Sequence, residues 1–541
     1  MQGCKSILIN LGLTIGLAAL AGTASAQPEP VQSAIPTLKL YTREIVVDVS
    51  ISDSAGNPVR GLAQSDFTVS ENGKPQPIHS FAEYNELPAA PDLPPELPEN
   101  VYTNFQPLPD TGPVNILLLD ILNAQPADLV HEQQAMMDYL EKMPPGTQIA
   151  VFCLSTSGLH TLQPFTSEPA LLRRAAQTRE VEFGTSMERW TRDWYTTDAI
   201  DQIAGYVARI RGRKNLIWFT PHMPILLLHD GGYAWSDPDP RGGWAPPDMG
   251  VVNRLMDTFE LLTSEQIAVY PVDPGGVGGL GMDNLRAEAV AEGLGGVAYY
   301  NNNDLGDLIA RAIDNGSHFY TLSYYPPNRK DDGHFHSIKI EVNRPGLRLV
   351  YRKGYNAEDP RLHLPTSGTP LMNAALQAKV PCATQLLFNV AVQPRSQLNA
   401  DPSPSAGTPV DPPIGSPIKG TLARKFRKAP LTRFDLVYAL QPSQIAFAEG
   451  PGGARSGSLE FEAAAYGSNR KLVTSLKQAA SLPLKDDEDP QSDDAPIFQF
   501  AQQLDLPPGR LYLRVGILDR LSNKVGTLEI PLVVPKNPAP R

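Results

Sequence analysis

Hydrophobic and polar residues alternate with a period of two near the start of the chain. In EIVVDVSIS, residues 44–52, Val47, Val49 and Ile51 fall on one face and polar side chains on the other, which is typical of a half-buried strand. DFTVSENGKPQPI then gives a short strand and an Asn-Gly hairpin signal. The pattern predicts β-structure over residues 36–83, as the first part of a β-sandwich.

From residue 113 the pattern changes to continuous apolar runs that alternate with segments of helical spacing. The runs are VNILLLD, QIAVFCL, NLIWFT and IAVYPVD. Strands that are apolar on both faces belong in a parallel sheet covered by helices, and alternation with helices predicts an α/β fold. We therefore predict a doubly wound α/β domain over residues 113–317.

The chain returns to short alternating strands at residue 318. HFYTLSYYP, FHSIKIEVNR and LRLVYRKGY predict three strands over residues 318–356. Neither this segment nor residues 36–83 has enough strands to hold a core alone. We predict that the two segments pair into one β-sandwich, with the α/β domain inserted between them.

Two further regions complete the predicted organisation. The Pro-rich residues 84–112 predict an extended linker. Residues 370–536 give another strand pattern and predict a C-terminal immunoglobulin-like β-sandwich. The fold class is thus α/β plus all-β.

Composition and the first residues narrow the functional classes. The 541 residues carry a formal charge of -12 and no long basic run, which argues against nucleic acid as a partner. Residues 1–26 contain Lys5, an apolar stretch and Ala24-Ser25-Ala26, the pattern of a cleaved signal peptide. We expect export to the periplasm or cell exterior, with no transmembrane helix after cleavage, although an uncleaved anchor stays open.

Several segments together resemble a known family. They are IVVDVSISDSAGNPVRGLAQSDFTVSENGKPQPIHSF, NILLLDILNAQ, MPPGTQIAVFCL, LQPFTSEPALL, GRKNLIWFT and YTLSYYPPNRKDDGHFHSIKIEVNRPGLRLVYRKGY. In this order, over residues 40–356, the chain resembles the von Willebrand factor A-related family of secreted bacterial proteins, of the Acidobacterial type. The resemblance implies a von Willebrand A fold, export, and a binding role without known catalysis. It does not cover the C-terminal third.

The resemblance also implies where a metal-dependent adhesion site would lie. Asp120 matches its first aspartate and Thr166 its threonine, whereas apolar Leu122 and Ala124 stand where two serines are expected. Pro221-His222 follows the fourth strand, where the family has an aspartate. With Asp120, Thr166 and the substitute Asn123 left, we expect a degenerate site. Mg²⁺ stays possible because it takes oxygen ligands, but no other cofactor is expected. In the alternative reading, Asp120 only caps the following turn.

A long loop offers a different binding surface. In doubly wound sheets, ligands bind beyond the carboxyl ends of the strands. Residues 221–250 follow the fourth strand and bring Tyr233, Trp235 and Trp244 to the end of the sheet that holds Asp120. Such aromatic residues are enriched at protein interfaces, so we expect another protein or a surface polymer as partner. The alternative is a loop packed on itself.

Other motifs have simpler interpretations than chemistry. The glycine-rich GVGGLG is read as a loop because it falls too late for a dinucleotide fingerprint, and no nucleophile elbow surrounds the serines near residue 155. Cys153 and Cys382 are expected to be buried free thiols. His334 and His336 are read as surface histidines, and the acidic loop 485–494 as a solvated charge run. Ser155, Ser157 and His160 are read as polar loop residues.

The sequence is therefore consistent with three alternative functions. The first is an exported, non-catalytic, adhesion-type binding protein that uses the loop face around Asp120. The second is a structural scaffold of the envelope. The third is a hydrolase with an unrecognised site between domains, which would need a Ser or Cys within hydrogen-bond reach of a His.

Overall fold

The computed structural model describes a large part of the chain. The described residues are 44–84, 96–106, 113–177, 187–223, 238–239, 243–244, 258–277, 281–326, 335–357, 372, 375–378, 380–395, 421–426, 429–449, 455–484, 489–492, 495 and 497–536. The predicted signal peptide, residues 1–26, lies outside them.

The regular elements are numbered in chain order. The helices are α1 (Pro126–Lys142), α2 (Pro169–Ala176), α3 (Arg189–Val207), α4 (residues 258–264), α5 (Gly281–Leu294) and α6 (Leu305–Ser317). The strands up to α6 are β1 (Ile45–Ser52), β2 (Phe67–Glu71), β3 (Lys74–Gln76), β4 (Ser80–Tyr84), β5 (Val101–Thr103), β6 (Val114–Asp120), β7 (Ile149–Ser155), β8 (Gly158–Thr166), β9 (Lys214–Phe219), β10 (Pro238–Asp239), β11 (Gly243–Trp244) and β12 (Ile267–Val272). The later strands are β13 (Phe319–Tyr324), β14 (Phe335–Val342), β15 (Arg348–Tyr351), β16 (Gly354–Asn356), β17 (Asn389–Pro394), β18 (Thr421–Leu422), β19 (Thr432–Leu440), β20 (Ala448–Glu449), β21 (Arg455–Gly467), β22 (Leu472–Leu484), β23 (Phe498–Leu506), β24 (Gly509–Asp519) and β25 (Val525–Val534).

The central sheet has the order β12-β9-β6-β7-β8. Its first four strands are parallel, and every residue of β6, β7, β9 and β12 is buried. Alternate side chains fill two apolar cores, one on each face of the sheet: Ile116, Leu118 and Trp218 lie in one, and Leu117 and Ile217 in the other. The four apolar runs are therefore confirmed as strands, and the mixed α/β class with them.

One strand of this sheet was not predicted. The segment GLHTLQPFT forms β8, which runs antiparallel to β7 at the edge of the sheet. Its apolar residues are Leu159, Leu162 and Phe165, spaced three apart, and register shifts interrupt its pairing with β7. A bulged edge strand has no strict alternation to detect.

Two four-stranded sheets are each made of strands that precede the central sheet along the chain and strands that follow it. Their orders are β15-β1-β13-β4 and β16-β14-β2-β3. One apolar cluster joins them, with Val47, Val69 and Ile340 among its members. The Asn-Gly hairpin is confirmed: Asn72 and Gly73 connect β2 to β3 with φ of 48° and 75°, the positive values that a type I′ turn requires.

Residues after 380, together with the short strand β5, form two more sheets. One has the order β23-β19-β17-β5 and the other β18-β22-β21-β24-β25, with β20 beside β21. Residues from both sheets contribute to one apolar cluster, including Leu436, Phe461 and Val515. The 13-residue β22 was not predicted, since its Lys477, Gln478 and Ala479-Ala480 favour helix. Pairing with β21 overrides that propensity.

The predicted linker 84–112 needs a correction. Within it, Val101–Thr103 forms β5, which pairs antiparallel with β17 and extends the later sheet. The side chain of buried Asn104 then donates to the carbonyls of Ala383 and Leu386 at 3.1 and 2.7 Å, and accepts from the Phe388 amide at 2.9 Å. The edge of a sheet presents unpaired amides and carbonyls, and this segment satisfies them.

Candidate binding face at the carboxyl ends of the strands

Asp120 is the last residue of β6, the middle strand of the central sheet. It is in register with Leu154 of β7, and its neighbour Leu119 is in register with Phe219 of β9. The residues that follow these strands therefore meet at one edge. Thr220, directly after β9, reaches Asp120 for this reason.

The Asp120 carboxylate is fully buried and accepts hydrogen bonds on both oxygens. The Asn123 side-chain amide donates at 3.1 and 2.9 Å, and the Asn123 backbone amide donates at 3.2 Å. The Thr220 hydroxyl donates at 2.8 Å. Burial raises the pKa of Asp120 above its ordinary value, and the bonds from Asn123 and Thr220 oppose that rise.

A second layer of polar residues surrounds Asp120. The Asn123 amide lies 3.5 Å from the Thr196 hydroxyl of α3. His222 Nε2 lies 3.3 Å from the Asp193 carboxylate on the same helix. The Thr220 oxygen is also 2.7 Å from the His222 carbonyl, so its single proton serves two acceptors. Thr220 was not predicted, although it directly precedes the Pro221-His222 position where an aspartate was sought.

Thr166 lies at the other end of the sheet, contrary to the expected ligand set. It pairs with Ile149 at the beginning of β7, whereas Asp120 is level with Leu154. Five residues of strand separate the two levels, or roughly 17 Å. One Mg²⁺ holds its ligands at about 2.1 Å and cannot bind both. The antiparallel β8 carries Thr166 away from the edge where Asp120 lies.

The predicted aromatic surface is only partly within the described residues. Tyr233 and Trp235 lie outside them. Trp244 is in β11, whose backbone pairs with Pro238 of β10. The role of these three aromatic residues stays a prediction.

Exposed apolar side chains lie around the same edge, and they were not predicted from the sequence. Val130, in the second turn of α1, is 63% exposed, and Val277, just after β12, is 69% exposed. Trp194 is 37% exposed. It directly follows Asp193, whose carboxylate contacts His222. These three side chains place apolar area near the ends of β6, β9 and β12.

Glu132 is a buried carboxylate that was also missed. It lies on α1, and neither carboxylate oxygen has a hydrogen-bond partner within the described structure. Burial, and then the charges of Asp120 and Asp128, raise the pKa of Glu132 well above its ordinary value. The signal in the sequence was its spacing from Leu129, Ala135 and Met136, which placed a carboxylate on the packed face of the helix.

The serines and histidine near residue 155 do come together. Ser155 Oγ lies 2.9 Å from Ser157 Oγ, which lies 2.7 Å from His160 Nε2. Ser157 is exposed on the turn between β7 and β8. A hydroxyl beside an imidazole is the minimal arrangement for a nucleophile and base.

His336 was expected on the surface, but it is buried. Its Nδ1 lies 3.0 Å from Oε1 of buried Glu71, and its ring stacks on Tyr355. Residues on four strands thus meet at Glu71, because Tyr324 and Tyr355 also donate to it, at 2.7 and 3.2 Å. His334 lies outside the described residues.

The other sequence motifs fall as follows. Cys153 and Cys382 are free thiols, the first buried and the second partly buried. GVGGLG leads into α5, and the loop 485–494 lies mostly outside the described residues. Among the described residues, no group of three or more His, Cys, Asp and Glu side chains is arranged to hold a metal ion. No described helix is long and apolar enough to cross a membrane.

The fold and this site define a mixed α/β and β protein with a buried, hydrogen-bonded aspartate at the carboxyl edge of a doubly wound sheet. No protein-family model matches the sequence, and no curated protein matches it. Among solved structures it is similar to a von Willebrand factor type A structure from Catenulispora acidiphila, at 11% identity and a TM-score of 0.27, over 58% of this chain and 80% of that one.

Two other solved structures are similar at the same level. The ArnB paralog VWA2 from Sulfolobus acidocaldarius has 11% identity and a TM-score of 0.21, over 91% of this chain and 76% of that one. The SpRpn10 VWA domain has 13% identity and a TM-score of 0.23, over 36% and 93%. At these values, what is said of this chain depends on its own residues and strand order.

Proposed function

We propose that the protein is exported and binds another protein or a surface polymer, without catalysis, through the carboxyl-end face of the central sheet. That face comprises the surroundings of Asp120 and the loop 221–250. The observation that carries the proposal is that exposed apolar Val130, Trp194 and Val277 lie around this edge. Scattered exposed apolar residues are common on proteins, so their position beside the edge where doubly wound sheets bind ligands matters more than their number.

Binding would be largely independent of a divalent metal. The two oxygens of Asp120 already accept hydrogen bonds from Asn123 and Thr220, and Thr166 is too distant to contribute. A metal would have to displace donors from a fully buried carboxylate. These contacts support a degenerate adhesion site, in which Asp120 holds two neighbouring loops together.

The domain arrangement belongs to the same proposal. An α/β domain of von Willebrand A type over residues 113–317 would be inserted into a β-sandwich made of residues 36–83 and 318–356. The pairing of β1 with β13 and β15, and of β2 with β14, supports that arrangement. The shared apolar cluster of the two later sheets supports an immunoglobulin-like sandwich at residues 370–536. The proposal that the chain belongs to the von Willebrand factor A-related family of the Acidobacterial type is supported by the sequence segments quoted above.

Affinity capture from the exported fraction tests the function. We expect the full chain to retain a discrete partner, and EDTA to leave the retained amount unchanged. Trp194→Ala should weaken binding by about tenfold, since aromatic anchors dominate interfaces. Leu472→Ala, an exposed residue of β22 (49%), is the matched control. Complete loss of binding in EDTA, or equal losses in both variants, would overturn the proposal.

A combined change at Trp235 and Trp244 to alanine tests the remaining part of the face. We expect a further loss of binding beyond that of Trp194→Ala, because the loop follows β9 at the same edge. If the captured material sediments as an assembly and gives no discrete soluble partner, the structural envelope scaffold is the better function.

A hydrolase is the second candidate, favoured by the contact between Ser157 and His160. In that reaction His160 would take the Ser157 proton as the oxygen attacks an ester carbonyl. The ester C–O bond would break, the alcohol would leave with the proton from His160, and water would then release the acid from Ser157. A fluorophosphonate probe distinguishes the two functions. Labelling that disappears in Ser157→Ala and in His160→Gln would favour the hydrolase, whereas absence of labelling would favour the binding protein.

A further inference from the structure

A cavity of about 330 Å³ lies between strands β1 and β15 on one side and strand β12 and helix α6 on the other. We call it the β1–α6 pocket. Its volume is at the lower end of the range of ordinary ligand sites, which suits a small molecule. The Ser50 hydroxyl on β1 donates to the Asn315 carbonyl on α6 at 2.9 Å. This bond joins the two walls, so the pocket is already formed in the folded chain.

Two arginines from different walls of the β1–α6 pocket act on the same hydroxyl. Arg311 is on α6 and Arg348 is on β15. Burial and the neighbouring Tyr270 raise the pKa of Tyr299, and the charges of both arginines oppose that rise. Both guanidinium groups therefore lie near the Tyr299 hydroxyl. Arg311 also lies 2.7 Å from Asp307, whereas the Arg348 guanidinium has no hydrogen bond or ion pair with the described residues.

Two tyrosine hydroxyls add hydrogen-bond donors to the β1–α6 pocket. Tyr270 is 1% exposed, and its oxygen accepts from Arg213 at 2.9 Å. The Tyr299 oxygen accepts from the Asn315 side-chain amide at 3.0 Å. Neither hydroxyl proton has an acceptor in the part of the chain that the structure describes. A buried donor without an acceptor is costly, which is evidence, separate from the arginine charges, that the pocket receives an acceptor.

The charged residues around the β1–α6 pocket favour an anion. Among the described residues that line it, Asp314 is the single acid, and it lies 3.2 Å from His318. His318 in turn contacts Arg60 at the rim. The lining therefore carries more positive than negative charge, although the whole chain has a formal charge of -12. A concave site of one sign concentrates ligands of the other sign.

We propose that the β1–α6 pocket binds a small organic molecule through a phosphate or sulfate group. Arg311 and Arg348 would bind the charged oxygens, as guanidinium groups do with phosphate, and the two tyrosine hydroxyls would donate to the same group. These donors lie on separate elements of the fold, which suits a tetrahedral oxyanion better than a planar carboxylate. Ile51, Val297 and Val350 line the rest of the pocket and would cover the carbon part of the molecule.

Isothermal titration calorimetry of the full chain with phenyl phosphate tests the proposal. We expect Arg348→Gln to weaken binding about tenfold with unchanged unfolding, because its guanidinium holds no described group in place. Arg510→Gln, on β24, also removes an exposed arginine that has no hydrogen bond or ion pair with the described residues, and is the matched control. Asp314→Asn removes the carboxylate of the lining and should strengthen binding about threefold.

The outcomes separate the possibilities. Weaker binding in Arg348→Gln and stronger binding in Asp314→Asn, with the control within about twofold, support the site. Absence of binding, or an equal loss in Arg510→Gln, overturns it. Benzoate that binds as tightly as phenyl phosphate overturns the tetrahedral oxyanion, and phenol that does so indicates an apolar site. The pocket shares no residue with the carboxyl-end face, so the failure of either proposal leaves the other standing.

Discussion

Two buried glutamates, in different parts of the molecule, have opposite surroundings. Glu71, on β2, is 3% exposed, and His336, Tyr324 and Tyr355 lie within hydrogen-bond distance of its carboxylate. Glu132, on α1, is fully buried, and neither of its carboxylate oxygens has a hydrogen-bond partner among the described residues. A buried charge is stable only when it is paired and hydrogen-bonded. The first residue therefore stabilises its region, and the second destabilises its own.

The largest expected effect is that of Glu71→Leu. The change leaves His336, Tyr324 and Tyr355 buried without their common acceptor, and removing one member of such a network costs about 3 kcal/mol or more. Urea unfolding of the full chain measures the loss. A cost below about 1 kcal/mol would show that the network contributes little and would remove the contrast between the two glutamates.

The same substitution at Glu132 should act with the opposite sign. Glu132→Leu removes an unsatisfied carboxyl from an apolar helix face, and we expect the free energy of unfolding to rise by about 1 kcal/mol. The same urea titration provides the measurement. Destabilisation, together with weaker partner binding, would mean that Glu132 has a role beyond packing.

A smaller loss is expected for Thr220→Val. Asp120 would keep its three bonds from Asn123 and lose the one from Thr220, at a cost of about 1 kcal/mol. In having hydrogen-bond donors against its buried carboxylate, Asp120 resembles Glu71 and differs from Glu132. No change in the midpoint of unfolding would indicate that the Asn123 bonds alone hold the carboxylate.

The pH dependence of stability gives the finest distinction. The pKa of Glu132 is raised in the folded protein, so the folded state binds its proton more tightly than the unfolded state. Its contribution is fully present below the unfolded pKa, near 4.5, and is lost as pH rises through the folded pKa. Glu132→Gln should flatten this decline at pH values above the unfolded pKa. An unchanged slope would show that Glu132 is not the group that titrates.

Much of the fold could be predicted because burial on both faces leaves a clear signal. The runs that became β6, β7, β9 and β12 are continuous and apolar, and Asn72-Gly73 fixed a hairpin. Propensity failed at β22, where tertiary pairing overrides a helical composition. It also failed at β5, because three residues within a Pro-rich stretch carry too little pattern.

The candidate site was harder to predict than the fold. Asp120 and Asn123 are in contact, as their spacing allowed, but Thr166 is not near them. A local match to LQPFT does not specify at which end of the sheet the threonine lies, and the antiparallel direction of β8 decided that. Thr220 and Glu132 belong to residue types that are common in strands and helices. Their roles can be recognised only from the residues that surround them in the folded structure.

The strand β5 has a consequence for how the chain is made. Val101 pairs with Ala391, about 290 residues later, so during synthesis this strand emerges long before its partner exists. A fragment that begins after residue 106 would lack it and leave the edge of β17 open to other chains. Such fragments should self-associate, and the ribosome-bound chain would need protection of the same edge until β17 is complete.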